Sequence, residues 1–152
     1  MPLNVVLNSI FSSNKNSMKI RLRTFNAYVA SVFLYNSELL WTFNEKLEST
    51  IKTFQRRHLI KILGINWQRN ITNKEIYART KCEPWSEIIR ARRLTWLGHL
   101  IRLHPETPAR KALEEYLRKV KRPRGRPKPT WMQTIQQDLN SIGIKLELSK
   151  AT

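Results

Sequence analysis

The sequence predicts an all-α fold, a small bundle of about five to six helices with a basic linker containing Pro and Gly before the last helix. Apolar residues recur at helical spacing along the chain, and no convincing run alternates between apolar and polar residues as a half-buried strand would. Only 4 glycines interrupt the 152 residues. This length is enough for about one domain with a modest core.

The first helix follows a segment, residues 1–16, that is rich in Asn and Ser and is predicted to be flexible. A helical domain is predicted over residues 17–119. Its first helix carries apolar residues on almost all sides, which predicts a central helix covered by its neighbours. Residues 32–35 also permit a short strand. The apolar residues of this helix are Ile20, Phe25, Ala27, Tyr28, Val29, Val32, Phe33 and Leu34.

A second helix is predicted between Asn44, a good N-cap residue, and Gly64, which can close its C-terminus. His58 falls on its apolar stripe and is interpreted as a core side chain with one satisfied nitrogen, because burial disfavours the charged imidazolium. Arg56 and Arg57 lie away from the centre of that stripe, where they can reach a phosphate backbone. The stripe consists of Leu47, Ile51, Phe54 and Ile62.

Two further helices have clear start signals. Thr72 with Glu75 three residues later forms a capping box, which predicts a short helix to about Thr80. Pro84 suits the first turn of a fourth helix that runs to about His104. The second and third helices also permit a helix-turn-helix, although their connection is longer than that motif usually has.

The fourth helix is predicted to have a core side and a basic side. Arg93 falls within the apolar arc, where we expect it to snorkel outward or to reach a bound strand. A solvated surface and contact with a nucleic-acid backbone both remain open for Arg92, Arg93 and Arg102. The core side contains Ile89, Trp96, Leu97, Leu100, Ile101 and Leu103, and the basic side contains Arg92, Thr95, His99 and Arg102.

A basic linker separates the last two predicted helices. Thr107 is predicted to cap a fifth helix ending near Lys119. Seven of the eleven residues from 118 to 128 are basic and none is acidic. Prolines and Gly125 disfavour regular structure there, so residues 120–129 are predicted to be a linker.

The last helix is predicted over residues 130–143, with Thr130 as its cap and Gly143 as its stop. Residues 144–152 are predicted to form a tail. The apolar side of this helix contains Trp131, Ile135, Leu139 and Ile142.

The charge of the chain predicts a polyanionic partner. Lys and Arg number 28 against 11 acidic residues, which gives a formal net charge of +17 and a pI of about 10.7. Nucleic acid is the commonest partner for such a field, and an anionic membrane surface is the main competitor. We expect RNA, RNA–DNA hybrid or DNA rather than a membrane or a small-molecule substrate. No pattern indicates an oligomeric state.

The cysteine count and the targeting patterns limit which covalent or metal sites and which cellular compartments we expect. Cys82 is the only cysteine, so an intrachain disulfide and a Cys-rich zinc site are excluded. The three histidines share no metal-ligand spacing with Cys82, and we expect no metal and no cofactor. Residues 27–35 are too short an apolar run to span a bilayer, and the N-terminus lacks the pattern of a secretory signal. The sequence therefore predicts a nuclear or cytoplasmic protein that is not secreted.

Five segments, in order, carry a family resemblance. They read LYNSE (residues 34–38), FQRRHLIKILGINW (54–67), TNKEIY (72–77), RRLTWLGHLIRL (92–103) and KRPRGRPKPTW (121–131). Together they resemble the region that follows the polymerase core in reverse transcriptases of non-LTR, LINE-type retrotransposons. In that family an arginine-rich RRLxWLGH helix precedes a basic GRPK-TW element. The resemblance covers roughly residues 19–143.

The resemblance implies a truncated fragment that keeps the thumb-like and post-thumb helices of an endonuclease-reverse transcriptase. The parent family is an RNA-directed DNA polymerase that holds paired metals with aspartates. This chain has a single aspartate, Asp138, and no Tyr/Phe-x-Asp-Asp motif. We therefore expect no catalysis by the chain alone. A departure from the family pattern, two leucines between Glu38 and Trp41, suggests a degenerate copy.

The predicted function is backbone binding to RNA or to an RNA–DNA template–primer. One alternative is a free-standing DNA-binding protein, because PRGRP at residues 123–127 resembles the AT-hook that lies in the minor groove of A·T-rich DNA. A nuclear-localisation signal is another use of these charges, and a transposon relic without function is a further alternative. The predicted contacts are Arg56, Arg57, Arg92, Arg93, Arg102, Lys121, Arg122, Arg124, Arg126 and Lys128.

Overall fold

The fold is all-α, as predicted, in the computed structural model, which describes residues 9–11, 13, 15–40, 45–65, 71–117 and 130–144. No strand occurs in those ranges. The helices are α1 (Met18–Phe25), a π-helical turn (Asn26–Ala30), α2 (Ser31–Leu34), α3 (Ser37–Leu40), α4 (Glu45–Leu63), α5 (Asn73–Thr80), α6 (Trp85–Arg102), α7 (Pro108–Leu117) and α8 (Trp131–Ser141).

The chain forms two compact units. The N-terminal unit comprises Met1–Ser37 and Glu45–Ile88, and the C-terminal unit comprises Glu38–Asn44 and Ile89–Thr152. Helix α6 therefore begins in one unit and continues in the other. In the C-terminal unit, α8 shares its core with α6 and α7. The predicted domain bounds, residues 17–119, stay a prediction.

The N-terminal unit has an aromatic core. Phe25 of α1 lies at its centre, with its ring stacked on Trp85 at 5.4 Å and on His58 at 5.7 Å between centroids. Phe11 meets Phe25 edge to face at 5.9 Å. The His58 Nδ1 lies 2.9 Å from the carbonyl oxygen of Phe54, which confirms the prediction of a core histidine with one satisfied nitrogen.

A buried glutamine ties α4 to the start of α6. The Gln55 side chain is 1% exposed. Its Nε2 donates to the carbonyl oxygen of Glu83 at 2.8 Å, and its Oε1 accepts from the backbone N–H of Trp85 at 2.9 Å. The Tyr77 hydroxyl donates to the same Oε1 at 3.4 Å. All the polar atoms of this amide therefore have partners, as burial requires.

The structure confirms the predicted capping residues at several helix ends. The Thr72 hydroxyl accepts from the backbone N–H of Glu75 at 3.3 Å. Thr130 and Gln133 form a reciprocal capping box at the start of α8. Gly64 and Gly143 follow α4 and α8 with φ of 66° and 76°, the left-handed conformation that ends a helix.

The C-terminal unit has a mainly aliphatic core. Its buried residues come from three helices, α6, α7 and α8. Trp96, Leu103, Trp131 and Met132 pack around them and are partly buried. The buried residues are Leu97, Leu100, Leu113, Ile135 and Leu139.

Two predictions about the N-terminal unit were wrong. Phe11 lies in the segment predicted to be flexible, yet it is 1% exposed and its carbonyl oxygen accepts from the Arg21 guanidinium at 3.2 Å. The first helix is not covered on most sides, because Ile20, Tyr28 and Val32 are 53%, 60% and 75% exposed. Val32 follows the π-helical turn, which changes the rotation per residue from that of a regular α-helix, so the 100° projection misplaces this side chain.

Candidate nucleic-acid interface

The N-terminal unit holds two of the predicted phosphate contacts, and they differ in availability. Arg57 is exposed on α4. Arg56 is partly buried, and its Nη1 donates to Asn73 Oδ1 at 3.2 Å, which links α4 to the first residue of α5. Arg56 can thus contact a phosphate only by sharing or releasing Asn73.

The basic side of α6 is exposed as predicted. Arg92, Thr95, His99 and Arg102 all face solvent. The Arg102 guanidinium folds back over Gly98, where a Cβ would lie 3.3 Å from Nη1. The His99 ring tilts against Trp96 with 5.2 Å between centroids. Cationic and aromatic groups therefore share one surface of this helix.

Arg93 requires a correction, because it does not snorkel to the surface. Its side chain is 1% exposed. Its Nε and Nη2 donate to the same carboxylate oxygen, Asp138 Oδ2, at 2.8 Å and 2.7 Å. Phosphate contact by Arg93 would require this ion pair to break and the side chain to leave the core. Arg93 is therefore a structural residue in this fold.

Asp138 joins two arginines of α6 to α8. The Arg90 Nε donates to Asp138 Oδ1 at 3.3 Å, so both carboxylate oxygens have an arginine partner. Asp138 itself is 6% exposed. Two cations around one buried carboxylate satisfy its hydrogen-bonding capacity, which a buried charge requires if it is not to destabilise the fold.

The sequence contained a signal for this pair that the predictions missed. At 100° per residue, Asp138 lies about 60° from Ile135 and therefore within the apolar side of α8. Arg93 lies within the apolar arc of α6. A lone charge inside the apolar side of each of two helices, with opposite signs, indicates that the two charges pair.

Several of the described glutamates pair with basic side chains. Four exposed or partly buried glutamates form ion pairs, namely Glu48 with Lys52 at 2.5 Å, Glu75 with Arg79 at 2.5 Å, Glu106 with Lys111 at 2.6 Å and Glu114 with Arg110 at 2.7 Å. Among the described residues, Arg57 and Arg102 form no salt bridge. Both are exposed, so these two members of the predicted set are well placed to meet an anion.

The predicted contacts of the basic linker, Lys121, Arg122, Arg124, Arg126 and Lys128, lie outside the described residues. Within the described residues, the predicted contacts lie on α4 and α6.

The described ranges offer neither a metal site nor a membrane-spanning helix. They contain no group of three or more His, Cys, Asp or Glu side chains that could hold a metal ion. None of the described helices is both long enough and apolar enough to cross a membrane.

No protein-family model, curated protein or solved structure matches this chain. What the chain binds must therefore be inferred from its own charges and geometry.

Proposed function

We propose that this chain is a noncatalytic nucleic-acid-binding module that grips RNA or an RNA–DNA template–primer by its phosphates. The observation that carries the proposal is the net charge of +17 together with two exposed arginines, Arg57 on α4 and Arg102 on α6, that form no salt bridge in the described part of the chain. Such a cationic surface attracts a polyanion from a distance and releases counterions on contact.

The family resemblance supports the same function. A truncated LINE-type reverse transcriptase that keeps its thumb-like and post-thumb helices would hold a nucleic-acid backbone without the polymerase aspartates. The sole aspartate of the chain is engaged with Arg90 and Arg93, so its carboxylate serves the fold. The proposed activity is therefore binding and not phosphoryl transfer.

The proposed contacts are the predicted set without Arg93. Arg57, Arg92 and Arg102 contribute exposed guanidinium groups, and Arg56 contributes a partly buried one. Arginine suits this role because its fixed fork of donors matches a phosphate in a bidentate way. The linker residues Lys121, Arg122, Arg124, Arg126 and Lys128 remain in the proposed set.

A salt series tests the proposal. Affinity for labelled RNA, RNA–DNA hybrid and duplex DNA would be measured for the wild type and for Arg57→Ala/Arg102→Ala. Each lost phosphate contact lowers the slope of log affinity against log salt by about 0.7 to 0.9, so the double variant should lower it by about 1.4 to 1.8.

The matched control is Arg79→Ala/Lys111→Ala, which removes the same charge from residues that pair with Glu75 and Glu106. Its slope should stay close to that of the wild type. Equal, weak binding to all three nucleic acids that is gone by about 0.2 M salt would contradict the proposal, because generic attraction behaves in that way. A preference for A·T-rich duplex that Arg124→Ala/Arg126→Ala abolishes would instead support the AT-hook-like alternative.

A further inference from the structure

The C-terminal unit contains a cavity of about 290 Å³ that opens to solvent and is lined by α6, α7, α8 and Leu39 of α3. Two tryptophans line it, Trp96 from α6 and Trp131 from the first turn of α8. Leu100, Ala109, Ala112 and Met132 form much of the remaining wall. We name this the two-tryptophan cavity.

The wall of the two-tryptophan cavity is mainly apolar and aromatic. The indole N–H of Trp131 already donates to the carbonyl oxygen of Glu38 at 2.8 Å. This bond fixes the Trp131 ring and uses its polar group. The remaining wall residues are aliphatic, apart from Trp96. A ligand here would be recognised by its flat apolar surface, with its polar edge left at the open mouth.

The volume of the cavity fits one fused ring system. An apolar protein cavity of about 150 Å³ is known to hold a benzene molecule. The present volume of about 290 Å³ is close to twice that size. It suits a bicyclic aromatic group and is near the lower end of the range for small-molecule sites.

Positive charge and aromatic surface are neighbours at this site. At 100° per residue, Arg92 and His99 both lie within about 60° of Trp96 around α6. The His99 ring tilts against the Trp96 ring at 5.2 Å. Arg92 is exposed one helical turn before Trp96. A ligand that carries an anion next to an aromatic ring matches this arrangement better than a neutral apolar molecule does.

We propose that the two-tryptophan cavity takes one unpaired purine base of a single strand. The base stacks on the indole faces, and the adjacent phosphate lies on the Arg92 side of α6. This inference rests on the proposed nucleic-acid binding and adds a specific requirement to it, because a base within a duplex is not free to enter. One stacked base should strengthen binding by roughly 5- to 150-fold in Kd.

The test separates the base from the phosphates. The full chain is titrated with two short strands of equal length. One is built entirely of abasic nucleotides, and the other differs from it only by a single central 2-aminopurine. The wild type should bind the 2-aminopurine strand roughly 5- to 150-fold more tightly than the abasic strand. Stacking on indole should also quench the 2-aminopurine fluorescence.

A filling variant tests the location. Ala112 lines the cavity and is exposed, so Ala112→Leu should occupy the cavity without crowding the core. We expect it to abolish the preference for the 2-aminopurine strand and to leave binding to the abasic strand unchanged. The matched control is Ala91→Leu, an exposed alanine on the opposite side of α6 from Trp96. If Ala112→Leu fails to melt cooperatively, Ala109→Leu fills the same cavity from another position.

Each adverse outcome has a distinct meaning. Equal wild-type affinity for the two strands, or an equal preference in wild type and filling variant, would overturn the base site and leave phosphate binding intact. No binding of either strand at low salt would overturn the proposed function itself. If indole alone is bound, blocked by Ala112→Leu, and not displaced by the 2-aminopurine strand, the cavity serves an apolar ligand and the base site is wrong.

Discussion

The two units bury polar side chains in contrasting ways. In the N-terminal unit a neutral amide, Gln55, joins α4 to the backbone at the start of α6. In the C-terminal unit a charged pair, Arg93 with Asp138, joins α6 to α8. Both sets of contacts connect residues that are distant in sequence. The amide of Gln55 brings dipoles into the core, whereas the ion pair brings full charges.

This difference determines how much stability each unit loses when a buried polar side chain loses its partner. A neutral group that loses its partner leaves an unsatisfied dipole, which costs about 1–3 kcal/mol. A buried charge that loses its partner leaves an uncompensated ion, which costs about 3–5 kcal/mol. The C-terminal unit is thus expected to be the more sensitive of the two to a single polar substitution.

The largest effect is expected from Asp138→Ala. The substitution leaves the Arg93 guanidinium buried without its carboxylate, so the free energy of unfolding should fall by about 3–5 kcal/mol. Urea denaturation combined with amide hydrogen exchange in α6 and α8 measures this loss and assigns it to the C-terminal unit.

Glu114→Ala is the control, since it removes a carboxylate whose ion pair with Arg110 is partly exposed. It should cost less than about 1 kcal/mol. Arg93→Met/Asp138→Leu should recover most of the loss, because an apolar pair of similar volume often replaces a buried ion pair without cost. Equal effects of Asp138→Ala and Glu114→Ala would remove the contrast between the units.

A smaller loss is expected from Gln55→Leu in the N-terminal unit. The backbone N–H of Trp85 and the carbonyl oxygen of Glu83 would both lose their partner, and the free energy of unfolding should fall by about 1–3 kcal/mol. Amide exchange in α4 and α5 reports the change. Gln137→Leu, an exposed glutamine on α8, should leave stability within about 0.5 kcal/mol. A loss from Gln55→Leu as large as that from Asp138→Ala would show that charge is not what separates the units.

The smallest effect is a loss of stability at alkaline pH in the N-terminal unit. Burial raises the pKa of Tyr77 above its ordinary 10.0, against the lowering influence of Arg56 and Lys52. Burial also raises the pKa of the Cys82 thiol above its ordinary 9.0, although a hydrogen bond to Thr80 lowers it. Both groups lose their protons more easily in the unfolded chain, so the free energy of unfolding falls as pH rises from these ordinary values through the raised ones.

Urea midpoints at about pH 8 and about pH 10.5 measure this fall. Tyr77→Phe/Cys82→Ala removes both ionisable groups and should make the N-terminal unit less sensitive to pH over that interval. A double variant that loses stability as steeply as the wild type would show that other groups cause the alkaline response.

The sequence predicted those features that depend on neighbouring residues. The helical class, the Thr130 cap and the Gly143 stop follow from residues within one turn of each other, and all three were confirmed. The burial of Phe11 and the pairing of Arg93 with Asp138 depend on which helices meet in space. Helical periodicity assigns a side chain to a side of its own helix, but it does not identify the partner.

The candidate site was predictable to the same extent. The exposure of Arg92 and Arg102 follows from their position on α6, so periodicity was sufficient. The cavity between Trp96 and Trp131 was not predictable, because its volume depends on how four helices, α3, α6, α7 and α8, pack together. Periodicity predicts that both tryptophans lie on the apolar sides of their helices, and both are partly buried.

The bond from the Trp131 indole to the Glu38 carbonyl oxygen spans 93 positions of sequence. During synthesis, the residues of the N-terminal unit through Ile88 leave the ribosome well before α8 exists. The C-terminal unit must wait for α8, because Asp138 lies 45 positions after Arg93. A premature stop before the codon for Asp138 would release a protein in which Arg93 has no carboxylate partner in the core. Quality-control proteases would then encounter a folded N-terminal unit and a C-terminal unit that cannot form its core.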